Sequence, residues 1–250
     1  MCRHLAYLGP PVPLSAVLLE PPHSLLRQSY APLDMRGGGT INADGFGVGW
    51  YPQPGAAAVR YRSAAPIWSD ASFAALAAAT TAGAALAAVR SATVGMPVTE
   101  TAAAPFTDGR WLFSHNGVVR GWPHSVAELA AVLPVADLIT LDAPTDAALL
   151  WALVRHGLRA GKDPADALTT VVTAVVAAAP GSRLNLLLTD GVGIWATAWG
   201  HVLSVRTDET SALVSSEPID STTTWTPVPD RHLVVARPGH CGVTAILGER

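Results

Sequence analysis

The clearest periodicity lies in the second half of the chain. In residues 145–160, Leu149, Leu150, Leu153 and Val154 recur at helical spacing, behind Thr145 as a candidate N-cap and Asp146 in the first turn. A second helix is predicted over about 164–179, opened by Asp163 as cap with Pro164 at the first helical position and closed by Pro180-Gly181. Residues 184–189 and 193–198 around Asp190-Gly191 predict a hairpin. Further strand-like runs are 44–51, 85–92, 110–119, 201–206, 212–216, 232–237 and 242–247, and short helices are expected near 14–20, 70–80 and 126–133. Strands in runs and helices in clusters predict an α+β layered fold rather than alternating βαβ units.

Neither repeats nor a long Pro/Ser linker divide the 250 residues, so one domain is expected. Half the residues are hydrophobic and 14% are charged, which supplies a sizeable core and excludes wholesale disorder. The net charge is −3, and all but one of the 16 basic residues are arginines, Lys162 being the exception. No basic stripe marks a nucleic-acid surface. The apolar stretch Leu5–Leu19 is broken by Pro10, Pro11 and Pro13, which does not suit a signal peptide. The smooth run Ala167–Ala179 is shorter than the roughly 20 residues that span a bilayer. A soluble, cytoplasmic protein is expected, with neither membrane nor nucleic-acid partner.

Two cysteines make no disulfide framework. Cys2 stands out because removal of Met1 would place a thiol and a free α-amine on one residue. An α-amine of pKa about 7.7–8.0 can serve as base for that thiol. The alternative is an incidental small residue near a terminus. Cys241, in a late strand, is expected to be a small core hydrophobe.

Three further segments bear on Cys2. Arg90 is the one charged residue between Asp70 and Glu100, at the end of an apolar run; its anion is either a structural carboxylate or a substrate's. Asn116-Gly117 interrupts an apolar strand and reads either as a turn or bulge, or as a two-donor oxyanion hole. His115 reads as a packed strand histidine that can orient its neighbours. Asp146 reads either as an ordinary first-turn acid or as an ammonium-binding carboxylate. Together, thiol, oxyanion donors, Arg and Asp complete a site for a glutamyl group, whose zwitterionic end needs both charges. No HExxH or CxxC pattern competes, and Gly37-Gly38-Gly39-Thr40 lacks the Lys of a phosphate-binding loop, so neither metal nor cofactor is expected.

The start Met1-Cys2-Arg3-His4, the segment Asn42–Trp50, Val89–Thr93, Ser114–Gly117, Thr145-Asp146, Leu184–Leu187 and Ser216-Glu217-Pro218 resemble class II glutamine amidotransferases in order over nearly the whole chain. The resemblance implies a four-layer αββα fold of N-terminal-nucleophile hydrolases, as a single domain over 2–250 with Met1 removed. It implies Cys2 as nucleophile, Asn116 and Gly117 as oxyanion donors, Arg90 and Thr93 on the glutamyl α-carboxylate, and Asp146 on its α-ammonium. Gln28–Pro32, Asp70–Phe73, Ala92–Pro97, Ala104–Trp111 and Pro229–Leu233 are similar to the branch that hydrolyses the γ-glutamyl amide of hercynylcysteine S-oxide in ergothioneine biosynthesis. A small γ-glutamyl substrate is then the expected partner, and a homodimer is left open. Trp50, Tyr51, Trp68 and Trp111 are candidate faces for the substrate's trimethylammonium. One departure is that Ala102-Ala103-Ala104-Pro105 stands where many family members carry Asn-x-His-Pro, which puts glutamine-gated behaviour in doubt. The alternatives are a glutaminase subunit feeding ammonia to a separate synthase, and a non-catalytic binding protein on the same fold.

Overall fold

The computed structural model describes residues 2–36 and 40–246. Its strands are β1 (Arg3–Pro13), β2 (Phe46–Trp50), β3 (Val59–Ser63), β4 (Thr81–Val89), β5 (Phe106–Asp108), β6 (Trp111–Val118) and β7 (Arg183–Thr189), then β8 (Ile194–Ala198), β9 (Ser204–Thr207), β10 (Ala212–Ser215), β11 (Thr226–Pro227), β12 (His232–Arg237) and β13 (His240–Ala245). They form two antiparallel sheets, in the orders β11-β9-β10-β1-β4-β2-β3 and β13-β12-β8-β7-β6-β5. The helices are α1 (Leu14–Leu18), α2 (Leu25–Gln28), α3 (Ala71–Ala79), α4 (Ala127–Ala130), α5 (Val135–Ile139), α6 (Asp146–Arg159) and α7 (Pro164–Ala178).

Period-two alternation sorts the strand residues into layers. Leu5, Tyr7, Phe46, Val48, Ala85 and Ala87 pack under α1, α2 and α3 with Leu18, Leu25 and Phe73. Ala6, Leu8, Ala84, Leu86 and Val214 meet Leu112, Leu187, Ala196 and Val234 between the sheets. Phe113, Leu184, Leu186 and Leu188 lie under α6 and α7 with Leu150, Val154, Leu168 and Val172. The result is a four-layer αββα sandwich. β7 carries leucines on both of its faces, broken only by Asn185, because both faces are covered.

The caps of the two long helices are as expected: Thr145 accepts from Ala148 N–H at 3.2 Å, and Asp163 from Ala165 N–H at 2.8 Å. The 184–198 hairpin forms, its turn held by Asp190 accepting from Val192 and Gly193 N–H. The run expected over 242–247 is β13, over 240–245; residue 247, like Gly37–Gly39, lies outside the described residues.

The stretch Leu5–Leu19 divides into the helix α1, from Leu14, and before it the 11-residue strand β1, which carries the prolines at 10, 11 and 13. A register shift between Leu8 and Val12 accommodates them, and β10 pairs only with Leu5–Leu8, so their missing N–H groups face no partner strand there. Cys241 is exposed, not core: β13 is the edge strand of its sheet, and little packs over it. No helix among the described residues is long and apolar enough to cross a membrane.

Candidate functional site

A cleft opens where β1 begins, β4 and β6 end and α6 starts. Its walls bring together Cys2, Arg90, Thr93, Gly117 and Asp146, together with His115, Ala102 and Ala104. Cys2 is half-buried, its thiol 3.8 Å from Ser91 O.

Arg90 follows the last residue of β4 and is 9% exposed. Its guanidinium donates to Pro97 O at 2.8 Å and reaches Asp44 O at 3.5 Å, and it makes no ion pair among the described residues. The structural carboxylate left open by the sequence is therefore not what Arg90 holds. Asp146, 6% exposed, accepts from Val119 N–H at 3.0 Å and Ala147 N–H at 2.8 Å, and meets no cation among those residues. Both charges are thus removed from water without a counter-ion, an arrangement that is costly unless a ligand supplies the partner. They line one cleft with opposite signs, which suits an α-carboxylate and an α-ammonium on the same molecule. Thr93 is exposed at the mouth, on the turn closed by Met96 N–H to Thr93 O.

Asn116-Gly117 is neither turn nor bulge. β6 runs through both in regular register with β7, Asn116 opposite Asn185 and Gly117 opposite Leu184. Glycine is required at 117 by proximity: a Cβ there would stand 1.9 Å from Arg183 O. Alternation places Gly117 on the cleft side with His115, whereas Asn116 faces the inter-sheet layer with Ser114 and Leu112. Cys2 and His4 fall on the same inter-sheet side of β1 as Ala6, and His4 Nδ1 meets Ser114 Oγ at 3.2 Å, so these two polar faces touch. Asn116 is hence a neighbour of the cleft without lining it.

Several residues missed in the sequence hold this end in place. Arg3, 2% exposed, donates to Glu217 Oε1 at 2.9 Å, to Cys2 O at 3.0 Å and to Asp34 O. Glu217 also bonds His23 Nε2 at 2.6 Å and accepts from Leu33 and Asp34 N–H. Burial would raise the Glu217 carboxyl, but the His23 bond, the two backbone donors and the Arg3 charge outweigh it and hold the pKa down to about 2. Asp44 accepts from Ala92 N–H at 2.7 Å and so fixes the loop after Arg90. The readable signals were Arg3 beside Cys2, and Asp44-Gly45, whose Gly45 has φ +107°.

His4 is the histidine closest to Cys2 along β1. Burial, then the neighbouring His115, His201 and Arg3, push its pKa down to about 3, and His201 is lowered to about 3 by burial and Arg183 first. Both are neutral imidazoles and weak bases near pH 7. None of Trp50, Tyr51, Trp68 or Trp111 lines the cleft. Trp50 and Tyr51 are buried elsewhere, Trp111 packs on Trp195, and Trp68 stands exposed edge-on to Tyr30.

Two sheets sandwiched by helices, with a cysteine at the head of a central strand facing a charged cleft, define the fold of N-terminal-nucleophile amidotransferases. Over residues 24–209 the chain matches the family described as glutamine amidotransferases class-II, and it belongs to that family. It is 43% identical over 248 residues, covering 98% of this chain and 100% of the relative, to a Mycolicibacterium smegmatis protein named gamma-glutamyl-hercynylcysteine sulfoxide hydrolase. A Mycobacterium tuberculosis protein of the same name is 45% identical over 235 residues, 94% of this chain and 92% of its own. A solved Silicibacter pomeroyi glutamine aminotransferase class-II domain protein shares the fold with a TM-score of 0.70 and 23% identity, over 98% of this chain and 99% of that one.

Proposed function

We propose that this chain is an amidohydrolase that cleaves the γ-glutamyl amide of γ-glutamyl hercynylcysteine S-oxide, releasing glutamate and hercynylcysteine S-oxide in ergothioneine biosynthesis. The observation that carries the reading is one cleft lined by Cys2 together with a buried arginine and a buried aspartate that pair with no counter-ion among the described residues. Arg90, with Thr93 at the mouth, takes the glutamyl α-carboxylate, and Asp146 takes its α-ammonium. This leaves the γ-carbonyl for the thiol.

In the mature chain Cys2 is the first residue of a single catalytic domain, and its own α-amine is the base. His4 is too weak a base for that task at a pKa of about 3. The thiol proton passes to the amine as sulfur attacks the γ-carbonyl, and the oxyanion is held by the Asn116 amide and Gly117 N–H. The ammonium returns the proton to the departing cysteinyl nitrogen, leaving a γ-glutamyl thioester. Water then adds to that thioester, its proton again taken by the amine, and glutamate leaves as the thiol re-forms. Ala102 and Ala104 carry only methyl side chains on the cleft wall, which suits a leaving group larger than ammonia. A thiol nucleophile and a small-molecule substrate suit the cytoplasm.

The test is Cys2→Ser in fully processed protein, with the substrate and with glutamine. Turnover should fall by at least about 10³-fold, and a +glutamyl adduct on the wild-type N-terminal residue should be trapped by acid quenching. Unchanged turnover in the variant would make the chain a non-catalytic relative. Preference for glutamine in the wild type would make it a glutaminase.

A further inference from the structure

Asn116 is almost wholly buried, and its carboxamide makes a single contact: Nδ2 lies 3.4 Å from Ser216 Oγ, while Oδ1 has no partner. Ser216 is fully buried just beyond β10, where it extends the ladder to β1; its N–H donates to His4 O at 2.9 Å. Its Oγ accepts the His4 N–H at 3.0 Å. With Nδ2 toward Ser216, two donors converge on one hydroxyl oxygen, and the hydroxyl proton finds no acceptor among the described residues. Asn116 Oδ1 and the Ser216 O–H are then two orphaned groups within one contact.

A half-turn of the carboxamide satisfies both groups and leaves the amide NH2 as the one unpartnered group, at the buried position that Oδ1 otherwise takes. Ser216 O–H then donates to Oδ1 while Oγ still accepts from His4, and because amide nitrogen and oxygen are nearly the same size the exchange disturbs no packing. The His4 N–H is what makes this orientation the favoured one: it occupies Ser216 as acceptor and so leaves the hydroxyl to act as donor toward Asn116. The half-turn also leaves the Asn116 NH2 without a protein partner, on the inter-sheet face that Cys2 shares. A carboxamide in the opposite orientation would present its oxygen to a developing oxyanion.

We infer that Ser216 is a positioning residue that locks the Asn116 amide with its NH2 toward the reacting carbonyl. The inference rests on the proposed amidohydrolase reading and assigns a task to the Ser216-Glu217-Pro218 segment.

The experiment is a cycle of Ser216→Ala, Asn116→Ala and the double variant in the processed enzyme, with Ser216→Cys as a near-isosteric weak donor. Ser216→Ala should lower kcat by about 10-fold to 10²-fold, less than the 10²–10³-fold typical of losing an oxyanion donor outright, with KM within about twofold. The double variant should be no slower than Asn116→Ala alone, because without the amide there is nothing to orient. Ser216→Cys should fall between wild type and Ser216→Ala, and it carries the test if Ser216→Ala does not fold. Wild-type kcat in Ser216→Ala, or in Ser216→Cys where that variant stands in, overturns the inference. So does a Ser216 loss that adds in full to that of Asn116→Ala. An active Asn116→Ala alongside an inactive Cys2→Ser overturns it while leaving the amidohydrolase reading intact. An active Cys2→Ser removes that reading itself.

Discussion

At its first residues β1 carries Arg3 and His4, both almost wholly out of water and bound into the network of Glu217, Ser114 and Ser216. At its other end the same strand runs through Gly9, Pro10 and Pro11, where the chief polar link is the Tyr7 hydroxyl donating to Pro10 O at 2.6 Å. One strand thus passes from a densely charged interior to an apolar, proline-rich end within about 30 Å of extended chain. Buried charge is expensive, and here it is gathered at the end that meets the cleft. The difference teaches where this fold gives up stability for chemistry.

The strongest way to break that contrast is at Arg90. Arg90→Met should cost about 10²–10³-fold in kcat/KM, mostly through KM, since a charge-paired contact of this kind is worth about 2–5 kcal/mol. Thermal unfolding should show stability unchanged or raised, because the variant removes a buried charge that no carboxylate among the described residues neutralises. A large fall in stability would mean that Arg90 is structural.

Acidification tests the same end as a whole. His4 and His201 are neutral in the folded protein with pKa values lowered to about 3, so the unfolded chain binds their protons first. Stability should therefore decline as pH falls from about 6.5 toward 3, by about 1.4 kcal/mol per pH unit for each such histidine. Glu217, held down to about 2, is ionised when folded; its contribution is present above the ordinary carboxylate range and is lost as pH falls from about 4.5 toward 2. Urea unfolding between pH 7 and 4 checks this, and His4→Asn should reduce the slope by about half. A flat profile would refute the neutral, buried state.

The smallest expected effect is at the far end. Tyr7→Phe removes the bond to Pro10 O and should cost about 0.5–1.5 kcal/mol in denaturation, with kcat and KM unchanged. A change in kcat would show that the two ends are coupled.

The layered α+β fold and both long helices were readable because their signals are local: caps, a proline at the first helical position and helical spacing. β1 was not, since three prolines argue against a strand until the register shift that tolerates them is seen. Cys2, Arg90, Thr93, Gly117 and Asp146 were legible as chemistry and do meet in one cleft. What the sequence hid was long-range support. Nothing near Arg3 announces Glu217, and the alternation that turns Asn116 away from the cleft wall while Gly117 stays on it follows only from the register of β6. Cys241 misled for a similar reason, as edge position is a property of the sheet rather than of the residues around it.

Chain ends fray unless something moors them, and the mechanism proposed above, with its nucleophile at the first residue of the processed chain, requires such a mooring. The hydrogen bond from the Arg3 guanidinium to the Cys2 carbonyl supplies the mooring, and its anchor, Glu217, lies 214 residues further along the chain. One of the contacts that hold the Cys2 carbonyl in place thus depends on the last third of the chain docking against β1, which ties the placement of the proposed nucleophile to completed folding.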